Sequence, residues 1–192
     1  MKTTGNILLV GVGGQGIILA SNLLAQAALN AGHDVKKNEI HGMSQRGGSV
    51  FSHIRFGPKV FSPVIPEGKA DLLVALEEME ALRWLQYCGS QTELIVCQTR
   101  LNPANINEYP GGIADELTRL FNKMLTIDPV SLARECGGQK FINTAILGVV
   151  ANTLDFPESA WRNAIEKLTP EGTAAKNWEA FLAGRTTKGT YE

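Results

Sequence analysis

Four consecutive apolar residues, Ile7-Leu8-Leu9-Val10, run straight into Gly11-Val12-Gly13-Gly14-Gln15-Gly16 and then into a long, mostly apolar segment over residues 17–31. No other feature constrains the fold as strongly. A short uninterrupted apolar run suits a strand buried on both faces of a parallel sheet. The glycines allow a sharp turn at the strand's end. Ala20, Leu23, Leu24, Ala27 and Ala28 recur at helical spacing, and Gly32 is placed to stop the helix. With residues 34–40 as a weaker second strand, residues 6–40 read as a βαβ unit.

The next stretch interrupts the alternation. Residues 41–48 read as a glycine-rich loop. Residues 49–56 and 59–65, parted by Gly57-Pro58, read as an antiparallel hairpin or two edge strands, with Pro63 and Pro66 putting the second run at an edge. Alternation then returns, with strands over 71–76, 94–97 and 124–127 and helices over 77–87 and 112–122. The remainder is helical, over 129–135, 141–154, 157–168 and 170–182, and Pro157 and Pro170 suit first helical turns. The fold class expected is α/β: a three-layer, open, mostly parallel Rossmann-like sheet with an added antiparallel strand pair and a helical C-terminal region. The chain of 192 residues is long enough for one domain. Residues 1–184 are expected to form it, with residues 185–192 a flexible tail.

Composition excludes several function classes. Lys plus Arg is 18 and Asp plus Glu is 19, a net charge of −1, which argues against a nucleic-acid binder or a polybasic membrane-surface protein. Charged residues make up 19%, below the ~25% of average chains, as expected of a surface partly covered by a partner. No apolar run is long enough to span a bilayer, and no signal-peptide pattern follows Met1, so the expected location is the cytoplasm. The three cysteines, Cys88, Cys97 and Cys136, are scattered, as reduced thiols would be, and three thiolates alone cannot close a four-cysteine iron–sulfur or zinc site. No metal site is expected.

Two clusters carry candidate chemistry. Gly11, Gly13, Gly14 and Gly16, with Gln15 among them, match G-x-G-x-x-G between a strand and a helix. There the amides of a helix's first turn and the helix dipole can hold a phosphate or pyrophosphate. The same turn with no ligand is the plainer alternative. A dinucleotide would further need an acidic residue near the end of the second strand. Glu39 is the sole candidate, slightly late, and Lys36 and Lys37 occupy the expected place. The second cluster is His41-Gly42-Met43-Ser44-Gln45-Arg46-Gly47-Gly48-Ser49. It follows the second strand and so belongs at the same carboxyl edge, where open α/β sheets bind ligands. Arg46, flanked by Ser44, Gly47 and Gly48, suits a phosphate or carboxylate. His41 as a base, or all of this as an ordinary surface loop, are the competing readings. No residue is singled out as catalytic.

Taken together, V-G-V-G-G-Q-G at residues 10–16 and G-M-S-Q-R-G-G-S-V at 42–50 resemble the gamma-type subunit or domain of 2-oxoacid:ferredoxin oxidoreductases. Within that family they look most like the small, beta subunits acting on indolepyruvate. Ala70-Asp71-Leu72-Leu73-Val74-Ala75-Leu76-Glu77 and Asn143-Thr144-Ala145-Ile146-Leu147-Gly148 extend the resemblance, which covers about residues 5–184. The resemblance implies a non-redox subunit, inactive alone, of an enzyme that oxidatively decarboxylates a 2-oxoacid to an acyl-CoA and passes electrons to ferredoxin. It places thiamine diphosphate and [4Fe–4S] clusters on a larger partner subunit and makes coenzyme A a candidate ligand here, with no cofactor bound tightly by this chain alone. Gly11, Gly13, Gly14, Gln15, Gly16, Ser44, Arg46, Gly47 and Gly48 would then form an anion-binding edge for CoA phosphates or for the partner. The first guess at substrate is an arylpyruvate such as indolepyruvate. In isolation the chain could form a homodimer. A stand-alone NAD(P)- or flavin-binding oxidoreductase, and a purely structural partner subunit, are the alternatives.

Overall fold

A computed structural model describes residues 4–41, 48–102, 108–187 and 190–191. The strand read from Ile7–Val10 extends over Gly5–Val12 (β1), and the glycine turn leads into α1, Ile17–Asn30. Then follow β2 (Asp34–His41), β3 (Ser49–Gly57), β4 (Ala70–Ala75), α2 (Glu78–Arg83) and β5 (Cys88–Cys97). The rest of the chain forms α3 (Ile113–Leu120), β6 (Met124–Ile127), α4 (Pro129–Glu135), α5 (Ile142–Val150), α6 (Glu158–Leu168), α7 (Ala174–Thr186) and β7 (Thr190–Tyr191).

Among the described residues the sheet has seven strands in the order β2-β3-β1-β4-β5-β6-β7. β1 is parallel to β4, β4 to β5, and β5 to β6, while β3 runs antiparallel to both of its neighbours, β1 and β2. β2 is therefore parallel to β1 with β3 inserted between them. The class expected from the sequence, an open and mostly parallel sheet between helical layers with an antiparallel addition, is the one found.

Within it, three expectations need correction. Residues 59–65 form no strand; they cross the lower end of β3 as an irregular strap, tied by Arg55 Nη1 to the carbonyls of Ser62 and Val64 and by the Ile65 amide to His53 Nδ1. β3 is interior rather than at an edge, which is why His53 and Ser52 are buried with Phe51 and Ile54. The tail expected over residues 185–192 also differs: α7 continues to Thr186, and Thr190–Tyr191 pairs with β6.

Alternation along β1 sends Ile7 and Leu9 to one side of the sheet and Leu8 and Val10 to the other. The first side carries α1 and the C-terminal helices, whose Trp161, Phe181 and Ile165 fill the larger core. The second carries α2, α3 and the strap, with Leu73, Leu117 and Ile65. No helix among the described residues is long and apolar enough to cross a membrane.

Candidate functional site

The chain crosses over from β1 toward β2 on one side, while β4 lies on β1's other side, so the sheet has its topological switch point between β1 and β4. Ligands of open α/β sheets bind in the crevice at that point, outside the strands' carboxyl ends. The glycine turn occupies it. Gly14 and Gly16 adopt φ of +101° and +77°, a region L side chains rarely enter. Gly16 is the N-cap of α1 and has no side chain to satisfy the helix's first amides, so those of Ile17, Ile18 and Leu19 face outward from the helix start.

Other groups of the turn are already engaged. Gln15 folds back so that Oε1 accepts from the Val12 amide at 2.7 Å and Nε2 donates to the Leu76 carbonyl at 2.8 Å, binding the turn to the end of β4. Gln15 is thus a brace. Asn143, in the first turn of α5, donates to the Gln15 carbonyl at 2.7 Å. The Gly13 amide donates to the Gly48 carbonyl at 2.8 Å. That bond brings the two glycine clusters together at one edge, as their sequence order requires. Ser44, Arg46 and Gly47 lie outside the described residues, as do Gly42, Met43 and Gln45, and the side chain of His41 is likewise outside them.

Beside the turn is a cleft of about 380 Å³, lined by Gly14, Gln15, Gly16, Leu76, Thr99 and Leu101, with Cys97 and Asn143 deeper and Lys140 at its side. Two grooves of about 670 and 630 Å³ lie at the opposite, amino edge, against Asn6, Asp71 and Gln91, away from the glycine turn. The switch-point cleft is the one with helix amides beside it. Burial pushes the Cys97 thiol up to about 12, so it is an inert wall of the cleft rather than a nucleophile.

The residues that sequence reasoning missed lie at the end of β4. Glu77, Glu78 and Glu80 are 1%, 2% and 4% exposed. Glu77 caps α2 through the Glu80 amide, and its other oxygen accepts from Tyr109 Oη at 2.5 Å and the Leu101 amide at 3.2 Å. Glu78 accepts from Arg100 Nε at 2.9 Å. Glu80 accepts from Arg83 Nε, from Trp84 Nε1 and from the hydroxyl of Ser49, the first residue of β3. The tyrosine is driven well above its ordinary pKa by burial and by its bond to Glu77, so it remains the donor in that pair. Only the glutamates' place just after a strand's carboxyl end could have signalled them; Arg100 and Tyr109, which partner Glu78 and Glu77, are 22 and 32 residues away.

Glu39, the one candidate for a ribose, instead faces α1, where it accepts from Ser21 Oγ at 2.8 Å and pairs with Lys37. Lys36 pairs with Asp34. Neither lysine is directed at the cleft by these bonds. Cys88 and Cys97 stand at the two ends of β5, level with Ala70 and with the residue after Ala75 on β4, and so roughly 20 Å apart at a strand's rise. The chain's cysteines therefore do not fit an iron–sulfur cluster, and among the described residues no group of three His, Cys, Asp or Glu is placed to hold a metal.

Residues 6–187 match the pyruvate ferredoxin/flavodoxin oxidoreductase family. The chain belongs to that family. It is 38% identical over 190 residues to indolepyruvate oxidoreductase subunit IorB of Pyrococcus horikoshii, covering 93% of each chain. Among solved structures it resembles the gamma subunit of a keto/oxoacid ferredoxin oxidoreductase from Geobacter sulfurreducens, with a TM-score of 0.71, 22% identity and 94% of both chains covered. It also superposes on part of a 2-oxoglutarate:ferredoxin oxidoreductase from Magnetococcus marinus, a structure with 2-oxoglutarate, coenzyme A and succinyl-CoA bound. There the TM-score is 0.74 at 19% identity, over 96% of this chain and 31% of that one. In the Magnetococcus enzyme this fold is one part of a longer polypeptide.

Proposed function

We propose that this chain is the small, non-redox subunit of a cytoplasmic, thiamine diphosphate-dependent 2-oxoacid:ferredoxin oxidoreductase acting on indolepyruvate or a related arylpyruvate, and that it contributes an anion-binding edge for coenzyme A. The observation that carries the reading is the bond from Gly13 to Gly48, which joins the glycine turn to the end of the Arg46 segment at the switch-point cleft. The substrate assignment rests on the indolepyruvate relative, which matches the chain over nearly its whole length.

The chemistry of decarboxylation and electron transfer belongs to thiamine diphosphate and iron–sulfur clusters on the larger subunit. The work of this chain is binding and orientation. Gly11, Gly13, Gly14 and Gly16 permit close approach of the backbone, and the free first-turn amides of α1 offer donors to phosphate oxygens in the favourable field of the helix. Arg46, with Ser44, Gly47 and Gly48, supplies the charge and the two-pronged geometry that a phosphate accepts. Gln15 keeps the turn in shape without contacting the ligand. Holding CoA by its phosphates frees the thiol end to reach the acyl group on the partner.

The test is anaerobic purification of the tagged chain from its host, followed by steady-state kinetics of the complex. Co-purification of a larger, thiamine- and iron-containing subunit is expected. Arg46→Ala is expected to raise the KM for CoA about ten- to a hundred-fold, since a charge-assisted hydrogen bond contributes roughly 1.5–3 kcal/mol. A lone chain carrying a nicotinamide or flavin, or an unmoved KM in Arg46→Ala, would overturn the reading.

A further inference from the structure

The loop that follows β5 contributes Thr99 and Leu101 to one wall of the switch-point cleft, and Arg100, between them in sequence, turns its side chain toward Glu78 at the start of α2 on the same carboxyl edge. Its side chain is 58% exposed, yet it is among the most firmly supported on this edge. Nε is bonded to Glu78, a carboxylate itself 3% exposed, and the guanidinium lies over the Tyr109 ring at 5.8 Å. The ring is fixed in turn. Its hydroxyl donates to buried Glu77 and accepts from the Met79 amide at 2.8 Å. Glu77 also holds the Leu101 amide, and the Glu78 amide donates to the Thr99 carbonyl at 3.1 Å. The Glu77 carboxylate and the Glu78 backbone amide thus hold the loop on either side of the arginine, while the Glu78 carboxylate holds the arginine itself.

Burying a carboxylate is costly unless it is well partnered. A surface arginine needing only solvation requires no such support. The arrangement resembles that of a recognition group whose rotamer is set by a supporting shell. Using Nε for Glu78 leaves both Nη groups, which carry no bond among the described residues, to present a fork to an incoming oxyanion.

We propose that Arg100 is a recognition residue for a phosphate group of the coenzyme A bound at this edge, and that Glu78 and Tyr109 are positioning residues that aim it. The inference rests on the reading that this chain binds CoA, and adds a second cation to the one that reading assigns to Arg46. Arginine rather than lysine is required, because Glu78 and the ligand are engaged at once by different nitrogens of one planar group.

Steady-state kinetics of the reconstituted complex test it, with CoA and dephospho-CoA varied separately for wild type, Arg100→Ala, Arg100→Lys and Glu78→Gln, and Arg46→Ala alongside. Arg100→Ala is expected to raise the KM for CoA about ten- to a hundred-fold with kcat within two-fold and the complex intact. Arg100→Lys should recover only part of that loss, and Glu78→Gln should raise the KM in the same direction with kcat unchanged. If Arg100→Ala has a smaller effect with dephospho-CoA, the phosphate contacted is the one that analogue lacks; an equal effect assigns it to the pyrophosphate. An unmoved KM in Arg100→Ala while Arg46→Ala raises it would overturn the role of Arg100 alone. If neither variant moves it, the CoA reading itself falls. Loss of the larger subunit from Arg100→Ala would make the arginine an assembly contact and overturn the proposal.

Discussion

Gly16 is held by two independent constraints. Its φ of +77° would cost an L residue about 1–2 kcal/mol, and a Cβ there would stand 2.3 Å from Asn143 Nδ2. The two can be separated. Gly16→Ala is expected to destabilise the fold by more than the strain alone, because Asn143 must leave the Gln15 carbonyl to make room. In an Asn143→Ala background the same change should cost only the strain, about 1–2 kcal/mol, so the double variant in the urea-denaturation cycle should lose less stability than the two single variants added. Gly14→Ala is the control: its φ is +101° but nothing lies within 4 Å of the added carbon. Equal costs for Gly16→Ala in both backgrounds would mean that Asn143 does not brace the turn. The need for glycine at this turn was legible in G-x-G-x-x-G. The need for Asn143 was not, because it depends on a contact spanning 128 residues.

At the level of elements, β1, α1 and β4 announce themselves through apolar runs and helical spacing, and β3 misleads. Its sequence, Ser-Val-Phe-Ser-His-Ile-Arg-Phe, alternates as a half-exposed hairpin strand would, yet it is inserted between β1 and β2 and its Ser52 and His53 are interior. A neighbour supplied by the tertiary fold decides this, and no local pattern encodes it. The same insertion puts the end of the Arg46 segment beside the glycine turn, so the site's position follows from the topology while Glu77, Glu78 and Arg100 come into view only once β4 and β5 are adjacent. His53 records the cost. Its ring is buried between Phe51 and Tyr87 and accepts from the Ile65 amide, and burial, aided by the Arg55 charge, holds its pKa below the ordinary 6.5. The folded chain therefore favours the neutral ring. Its contribution is complete above about pH 6.5 and is lost as pH falls from there toward the folded-state value. Against a His53→Gln variant, the stability advantage of the wild type should shrink by up to about 1.4 kcal/mol per pH unit below 6.5. Urea denaturation at pH 7.5, 6.5 and 5.5 measures it, and a constant difference would show that the ring does not titrate on unfolding.

For the whole molecule, the decisive packing is between α5 and α7, because it fastens the C-terminal helices to the layer that supports the cleft. A Cβ on Gly148 would sit 2.0 Å from the Phe181 carbonyl oxygen, and one on Gly184 1.8 Å from that of Ala145. Each glycine lets the other helix's backbone approach, and α5 is also the element whose Asn143 holds the glycine turn. The helices cannot part at one end without disturbing Phe181, which packs on Trp161 and Trp178 within the main core. Gly148→Ala and Gly184→Ala should each cost roughly 1–3 kcal/mol or more, as overpacking of a close-fitted interior does. Because both substitutions push apart the same helix pair, the second should cost less once the first is present, and the double variant should be more stable than the sum of the singles predicts. Additive costs would mean that the two contacts yield independently and that α7 is a separable appendage. A coupled loss would show that the C-terminal helices and the glycine turn are parts of one packed unit.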